Sequence, residues 1–237
     1  MCRKCVNSGS RAGPEAAAPK TRPRILCYPF GLPLPTRAGD TFIDMSEIRM
    51  TNLNPQTTAL VLIDLQHGNV ARELAPYTPA QVLSNSVRLA DAFRAAGATI
   101  VYLRVSVGEL SAHEADRGLP GLKFIPPNPS DIVPEAGMQE GDFLVTKRQW
   151  GAFHATELDQ ILRRRGVKDI VLTGIATNIG VESTARVAHD LGYDLVFAED
   201  AMSSIGEGAH QWTVENMFPL MGRVRSTEQI LAALPQA

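Results

Sequence analysis

The amino-acid sequence predicts an α/β fold in which a largely parallel, six-stranded sheet carries helices on both faces. From Thr58 onward, short apolar runs alternate with longer segments of helical period, the pattern of successive βαβ units. The short runs are rich in β-branched residues and apolar along most of their length, as strands covered on both faces should be. The chain has 237 residues, 44% apolar and 20% charged, enough for one well-buried core with a tail to spare.

The strands are expected at Ala59 to Ile63, Thr99 to Val105, Phe143 to Thr146, Asp169 to Thr173, Asp194 to Ala198 and, shorter, Arg223 to Arg225. Between the first two, Thr78-Pro79 opens a helix with proline at its first position; Leu83, Val87, Ala90 and Phe93 share a face, and Gly97 ends it. Leu158, Ile161 and Leu162 mark the next helix, with Arg163, Arg164 and Arg165 in its last turn, where cations suit the dipole. Further helices are expected from Asn178 to Leu191, Gly206 to Met217 and Ser226 to Leu234.

Residues 1–50 read differently. Positions 1 to 39 carry seven Arg or Lys against one acid, Glu15, and are rich in Pro, Gly and Ala with no periodic apolar face, so a disordered basic tail is expected. Scattered prolines argue against a targeting helix, and the composition change near Asp40 favours a true start at Met45 or Met50. The net charge is −2, so the remaining domain, 51–237, is acidic, which argues against nucleic acid as its partner. No apolar run approaches the roughly 18 residues of a membrane span. All three cysteines lie at 2, 5 and 27; Cys2-x-x-Cys5 lacks the second pair of a structural zinc site, and a cysteine-free domain fits a reducing, cytoplasmic setting.

Three places carry chemistry because each follows a strand, and α/β sheets gather ligand-binding groups at their strands' carboxyl ends. Asp64 closes the first strand, Lys147 follows the third, and Gly174-Ile175-Ala176-Thr177-Asn178-Ile179-Gly180 turns from the fourth strand into a helix. An Asp and a Lys in one semi-apolar pocket shift each other's proton affinity, which makes an acid or base usable near neutral pH. Gln66, Trp150, Phe153 and Thr177 are the expected substrate contacts, the two aromatics as pocket walls beside Lys147. The hydroxyls of Thr177, Ser183 and Thr184 also suit capping, since no paired histidine is in reach by pattern. Glu182 and Arg186, four apart, are read as an ion pair, and His67 carries less weight than Asp64. The long connection from Ser106 to Asp142 is expected to roof the crevice. His113-x-x-Asp116 lacks partners, so neither a metal nor another cofactor is expected.

These motifs resemble the isochorismatase-like hydrolases from about Thr57 to Leu234. The family has an Asp after its first strand, a Lys in a pattern near Lys-x-x-x-Ser-Ala-Phe, and an elbow near Gly-Val-Ala-Thr-x-x-Cys-Val-x-x-Thr. This chain offers Asp64, Lys147-Arg148-Gln149-Trp150-Gly151-Ala152-Phe153, and the run from Gly174 to Thr184 with Gly180 at the cysteine position.

The resemblance implies a Rossmann-like three-layer α/β/α sandwich, a cis peptide between Ile175 and Ala176, and an oxyanion site made by the backbone N–H groups of Ala176 and Gly180. It also implies a small-molecule substrate and a homodimer or larger homo-oligomer. The amidase branch attacks with a thiolate, which Gly180 excludes. Members that hydrolyse isochorismate also resemble this chain in having glycine there, and their mechanism implies Asp64 as an acid that protonates a vinyl ether before water attacks, with Lys147 holding negative charge. Water-mediated amide hydrolysis is a further route, and a silent member that binds a small carboxylate or serves in an assembly is the alternative. The two lysine roles oppose each other, because a nearby ammonium lowers the Asp pKa that the acid role needs raised.

Overall fold

The computed structural model describes residues 53–110, 114–116 and 125–235; the expected tail, His113 and part of the long connection lie outside them. Six strands, β1 (Thr58–Ile63), β2 (Thr99–Val105), β3 (Phe143–Lys147), β4 (Asp169–Ile175), β5 (Asp194–Ser203) and β6 (Gly222–Arg225), form one sheet in the order β3-β2-β1-β4-β5-β6. Every pairing is parallel. The order reverses direction between β1 and β4, and in open α/β sheets that switch point opens the ligand crevice.

The helices are α1 (His67–Val70), α2 (Pro79–Ala95), α3 (Leu158–Arg164), α4 (Glu182–Asp190), α5 (Ala209–Asn216), α6 (Phe218–Met221) and α7 (Thr227–Ala233). Two of them start with reciprocal capping boxes, Thr78 with Gln81 for α2 and Ser226 with Gln229 for α7. The sheet separates two apolar layers. Leu60 and Leu62 of β1 join Leu89 and Phe93 of α2 and Ile230 of α7 on one face. Ala59, Val61 and Ile63 join Leu158 and Leu162 of α3, Ala185 of α4 and Phe218 of α6 on the other. The result is the expected three-layer α/β/α sandwich, and the period of two along β1 divides the layers.

Some boundaries differ from expectation. The buried face of α2 is Val82, Ser86, Leu89, Ala90 and Phe93, while Leu83 and Val87 are only half-buried. The polar Ser86, whose hydroxyl faces Thr173 at 3.4 Å, disguises the register. Strand β5 runs on to Ser203 because a register irregularity opposite Leu172 and Gly174 lets it continue through Glu199 and Asp200, acids that read as a loop. Pro219 separates α6 from α5, which begins only at Ala209. Arg163 stacks over the Tyr193 ring at 4.3 Å and donates to the Leu191 carbonyl, as a partly solvated helix end. Among the described residues, no helix is long and apolar enough to cross a membrane.

Candidate active site

Asp64 is the first residue beyond β1 and turns the chain with φ +54°, a left-handed conformation that Asp tolerates better than most residues. Its backbone holds that turn: the N–H donates to Leu103 O at 2.9 Å, and the carbonyl accepts from Gln66 N at 2.8 Å and Asn69 Nδ2 at 3.1 Å. The carboxylate is left to face Lys147, the last residue of β3. The Lys147 Nζ donates to Asp64 Oδ2 at 2.7 Å, to Trp150 O at 2.9 Å and to Gln149 O at 3.4 Å. Three N–H donors therefore meet three acceptors, and the ammonium is a fixed donor with none to spare. Both side chains are buried, and Asp64 Oδ1 has no hydrogen-bond partner among the described residues. Burial pushes the Asp64 carboxyl above its ordinary 3.8, outweighing the ammonium that pulls it down.

The elbow faces this pair. At Gly174 (φ +116°) a Cβ would stand 2.0 Å from the Ile63 carbonyl oxygen, so only glycine lets β4 lie against β1 there. The Ile175–Ala176 peptide is cis. A π-helical turn, Thr177–Val181, then leads into α4. The Ala176 carbonyl accepts from the N–H groups on either side of Gly180, those of Ile179 (3.1 Å) and Val181 (3.2 Å). A Cβ at Gly180 would lie 3.1 Å from Asp64 Oδ2 and 3.6 Å from Lys147 Nζ, so the position without a side chain is the one aimed at the ion pair.

Asp64, Lys147, Ala176, Gly180 and Trp150 line one cavity of about 90 Å³. Val105, Val107, Ile175, Ile179 and Ile205 make its walls apolar, and Asn69 and Arg72 add polar groups from the segment after β1. Burial pulls the Arg72 guanidinium below its ordinary value. Ile175 and Ile179 belong to the elbow that the sequence marks, whereas Ile205, Asn69 and Arg72 stand in no motif and nothing in the sequence marks them as cavity walls. Among the described residues, no group of three His, Cys, Asp or Glu side chains could hold a metal ion.

Three residues expected at the substrate have other tasks. Gln66 is fully buried and stitches the loop after β1 to the end of β2, donating to Val105 O and accepting from Val105 N, each at 2.8 Å. Phe153 belongs to the core, its ring 6.0 Å from that of Tyr193. Thr177 is buried, and its hydroxyl lies 2.9 Å from His210 Nδ1, so a histidine 33 residues away is paired with it after all. His67 N–H donates to Asp131 O, and neither His67 nor the exposed Asp116 lines the cavity. Glu182 and Arg186 do pair, at 2.8 Å, and Glu182 also accepts from the Thr213 hydroxyl.

Comparison with known proteins agrees with this architecture. Residues 58–229 match the family described as the isochorismatase domain. YwoC, an isochorismatase family protein of Bacillus subtilis, is 45% identical over 184 residues, covering 76% of this chain and 95% of its own. An isochorismatase family protein of Burkholderia thailandensis with a solved structure is 41% identical with a TM-score of 0.71, covering 77% of this chain and 97% of its own. The ureidoacrylate amidohydrolase RutB of Rhizobium rhizogenes is 31% identical over 212 residues, covering 78% of this chain and 86% of its own. With most of the sandwich and the whole strand-end site inside the matched region, the chain belongs to the isochorismatase-like hydrolase family.

Proposed function

We propose that the protein is a small-molecule hydrolase that works through Asp64 as a general acid, without a cysteine nucleophile and without a covalent intermediate. The observation that carries this reading is the unpartnered, buried Oδ1 of Asp64, on a carboxyl whose proton affinity burial raises, beside a Gly180 with no side chain to attack anything. No cysteine occurs after Cys27, so the thiolate route has no thiol in this domain.

For a vinyl ether the step is simple. The Asp64 proton passes to the terminal alkene carbon, the ether oxygen stabilises the resulting oxocarbenium ion, and water adds to the cationic carbon. The hemiketal then collapses to a carbonyl compound and an alcohol, and the proton lost from water restores the acid. Lys147, 2.7 Å from Oδ2, stabilises the carboxylate formed in between. The backbone N–H groups of Ala176 and Gly180 are proposed to hold an oxygen of the substrate at the first turn of the elbow, where the positive end of the helix dipole lies. Trp150 and the isoleucines suit an apolar body, and Arg72 suits an anionic group on the substrate. On family likeness, a homodimer or larger homo-oligomer is proposed; light scattering of the purified protein tests it.

A second reading has its own support: with Gly180 in place of a nucleophile and Asn69 and Arg72 among the residues lining the cavity, the pocket suits a silent member that binds a small carboxylate. A panel of vinyl ethers and primary amides, offered to the wild type, Asp64→Ala and Gly180→Cys, separates the two. Vinyl ether turnover that disappears in Asp64→Ala supports the acid mechanism. Amide turnover that emerges only in Gly180→Cys supports the silent scaffold, and vinyl ether turnover indifferent to Asp64→Ala ends the proposal.

A further inference from the structure

The buried pair of Thr177 and His210 lies behind the elbow and outside the cavity. Both residues are buried, at 0% and 2% exposure, and neither lines the space in front of Asp64. A polar pair so placed is costly unless each member is satisfied, and a satisfied one fixes geometry in a way an apolar pair does not. Thr177 follows Ala176 directly and opens the turn that ends beyond Gly180, so the orientation of its side chain is coupled to the whole turn.

The histidine is itself held. Its ring meets the edge of Tyr77 at 5.6 Å and 89°, and its Nε2 faces Glu199 Oε2 at 4.0 Å. Tyr77 donates its hydroxyl to that same carboxylate oxygen at 2.8 Å. A carboxylate in front of Nε2 favours the tautomer with its proton there, which leaves Nδ1 as an acceptor for the Thr177 hydroxyl. A second strap joins the next residue: the Ser204 hydroxyl bonds the Asn178 side chain, and Ser204 exchanges both backbone hydrogen bonds with Ala75, at 3.0 and 3.1 Å.

We propose that His210 is a positioning residue for the elbow: as the neutral imidazole carrying its proton on Nε2, it accepts a hydrogen bond from the Thr177 hydroxyl at Nδ1 and thereby sets the direction in which Gly180 faces Asp64 and Lys147. The consequence for catalysis rests on the hydrolase reading above, but the geometric claim does not. A displacement of the elbow by a fraction of an ångström would change how anything at position 180 meets the ion pair, and misplacements of about 1 Å cost on the order of a hundredfold in reaction rates.

The test uses the full chain with a thiol reporter, Gly180→Cys, whose alkylation by iodoacetamide is followed across pH by mass spectrometry of the peptide that carries residue 180, apart from Cys2, Cys5 and Cys27, to give both thiol pKa and limiting rate. Into that background go Thr177→Val, which keeps the shape and loses the hydroxyl, Thr177→Ser, which keeps the hydroxyl, His210→Ala, and the double variant Thr177→Val/His210→Ala. Rates are normalised to the folded fraction from urea unfolding. Thr177→Val and His210→Ala are each expected to change the limiting rate on the order of tenfold, the double variant no more than either alone, and Thr177→Ser to stay near the parent. Additive effects, or a reporter unmoved by Thr177→Val, would overturn the proposal. Should His210→Ala not fold, the contrast between Thr177→Val and Thr177→Ser decides by itself. Alkylation reads elbow geometry whether or not the pocket hydrolyses anything, so failure here is distinct from failure of the substrate panel.

Discussion

Replacing Lys147 with methionine keeps most of the side chain's volume and removes its charge. At 2.7 Å and an effective dielectric of about 20, the attraction lost is about 6 kcal/mol in gross terms. Burial of the two charges opposes that attraction, and removing one partner of a buried pair typically costs about 3–5 kcal/mol because the other is left unpaired. The penalty depends on pH in a definite direction. Burial already holds the Asp64 carboxyl above 3.8, and removing the ammonium takes away the influence that lowers it. A carboxyl with a folded pKa above its unfolded one contributes stability that is full below the unfolded value and is lost as pH rises through the folded one. Urea unfolding of Lys147→Met, followed by tryptophan fluorescence, should therefore show a larger loss at about pH 7 than at about pH 5. The double variant Asp64→Asn/Lys147→Met, with no charge left to bury, should recover about 2 kcal/mol of it or more. A loss below about 1 kcal/mol at both pH values would mean that the pair behaves like a solvated surface bridge, and the reasoning about a desolvated acid would fail.

Other substitutions test separate parts of the account. Gly174→Ala places a methyl 2.0 Å from the Ile63 carbonyl oxygen at φ +116°, and it should cost more than about 4 kcal/mol or abolish soluble expression; near-wild-type urea midpoints would contradict this. Gly180→Ala puts its methyl 3.1 Å from Asp64 Oδ2, a contact that should cost about 1–3 kcal/mol at most while eliminating turnover of any substrate found by the panel. Burial pushes the His210 imidazole from 6.5 down to about 4, so the folded state binds fewer protons than the unfolded chain between those values. Its contribution is present above 6.5 and is lost on acidification through that window, by up to about 3 kcal/mol, and the slope of stability against pH should flatten in His210→Asn.

The strands β1, β2, β4 and β5 were legible because a strand covered on both faces announces itself as a short apolar run, while the edge strands β3 and β6 are only partly buried and carry weaker signals; Asp64, Lys147 and the elbow were legible because each ends a strand. The shortfalls have a common cause. Local pattern carries no information about what lies across the sheet, so Gln66 looked like a pocket residue when it bridges both backbone groups of Val105. Phe153 stood near Lys147 in sequence but turns into the core against Tyr193. The pairing of Thr177 with His210 depends on α5 folding back over the elbow, and the spacing of the two residues gives no sign of it. Ser86 misled for a different reason: a buried polar residue that has found a partner reads as a surface position.

The central claim is that Asp64 holds its proton more tightly than an ordinary carboxyl although an ammonium lies beside it. Titration of ¹³C-labelled aspartate carboxyl groups by NMR, with Asp64→Asn to assign the resonance, measures this directly. The account predicts a midpoint above 3.8, with vinyl ether turnover rising as pH falls through it. A midpoint at or below 3.8 would show that the ion pair prevails over burial, and the acid mechanism would be wrong.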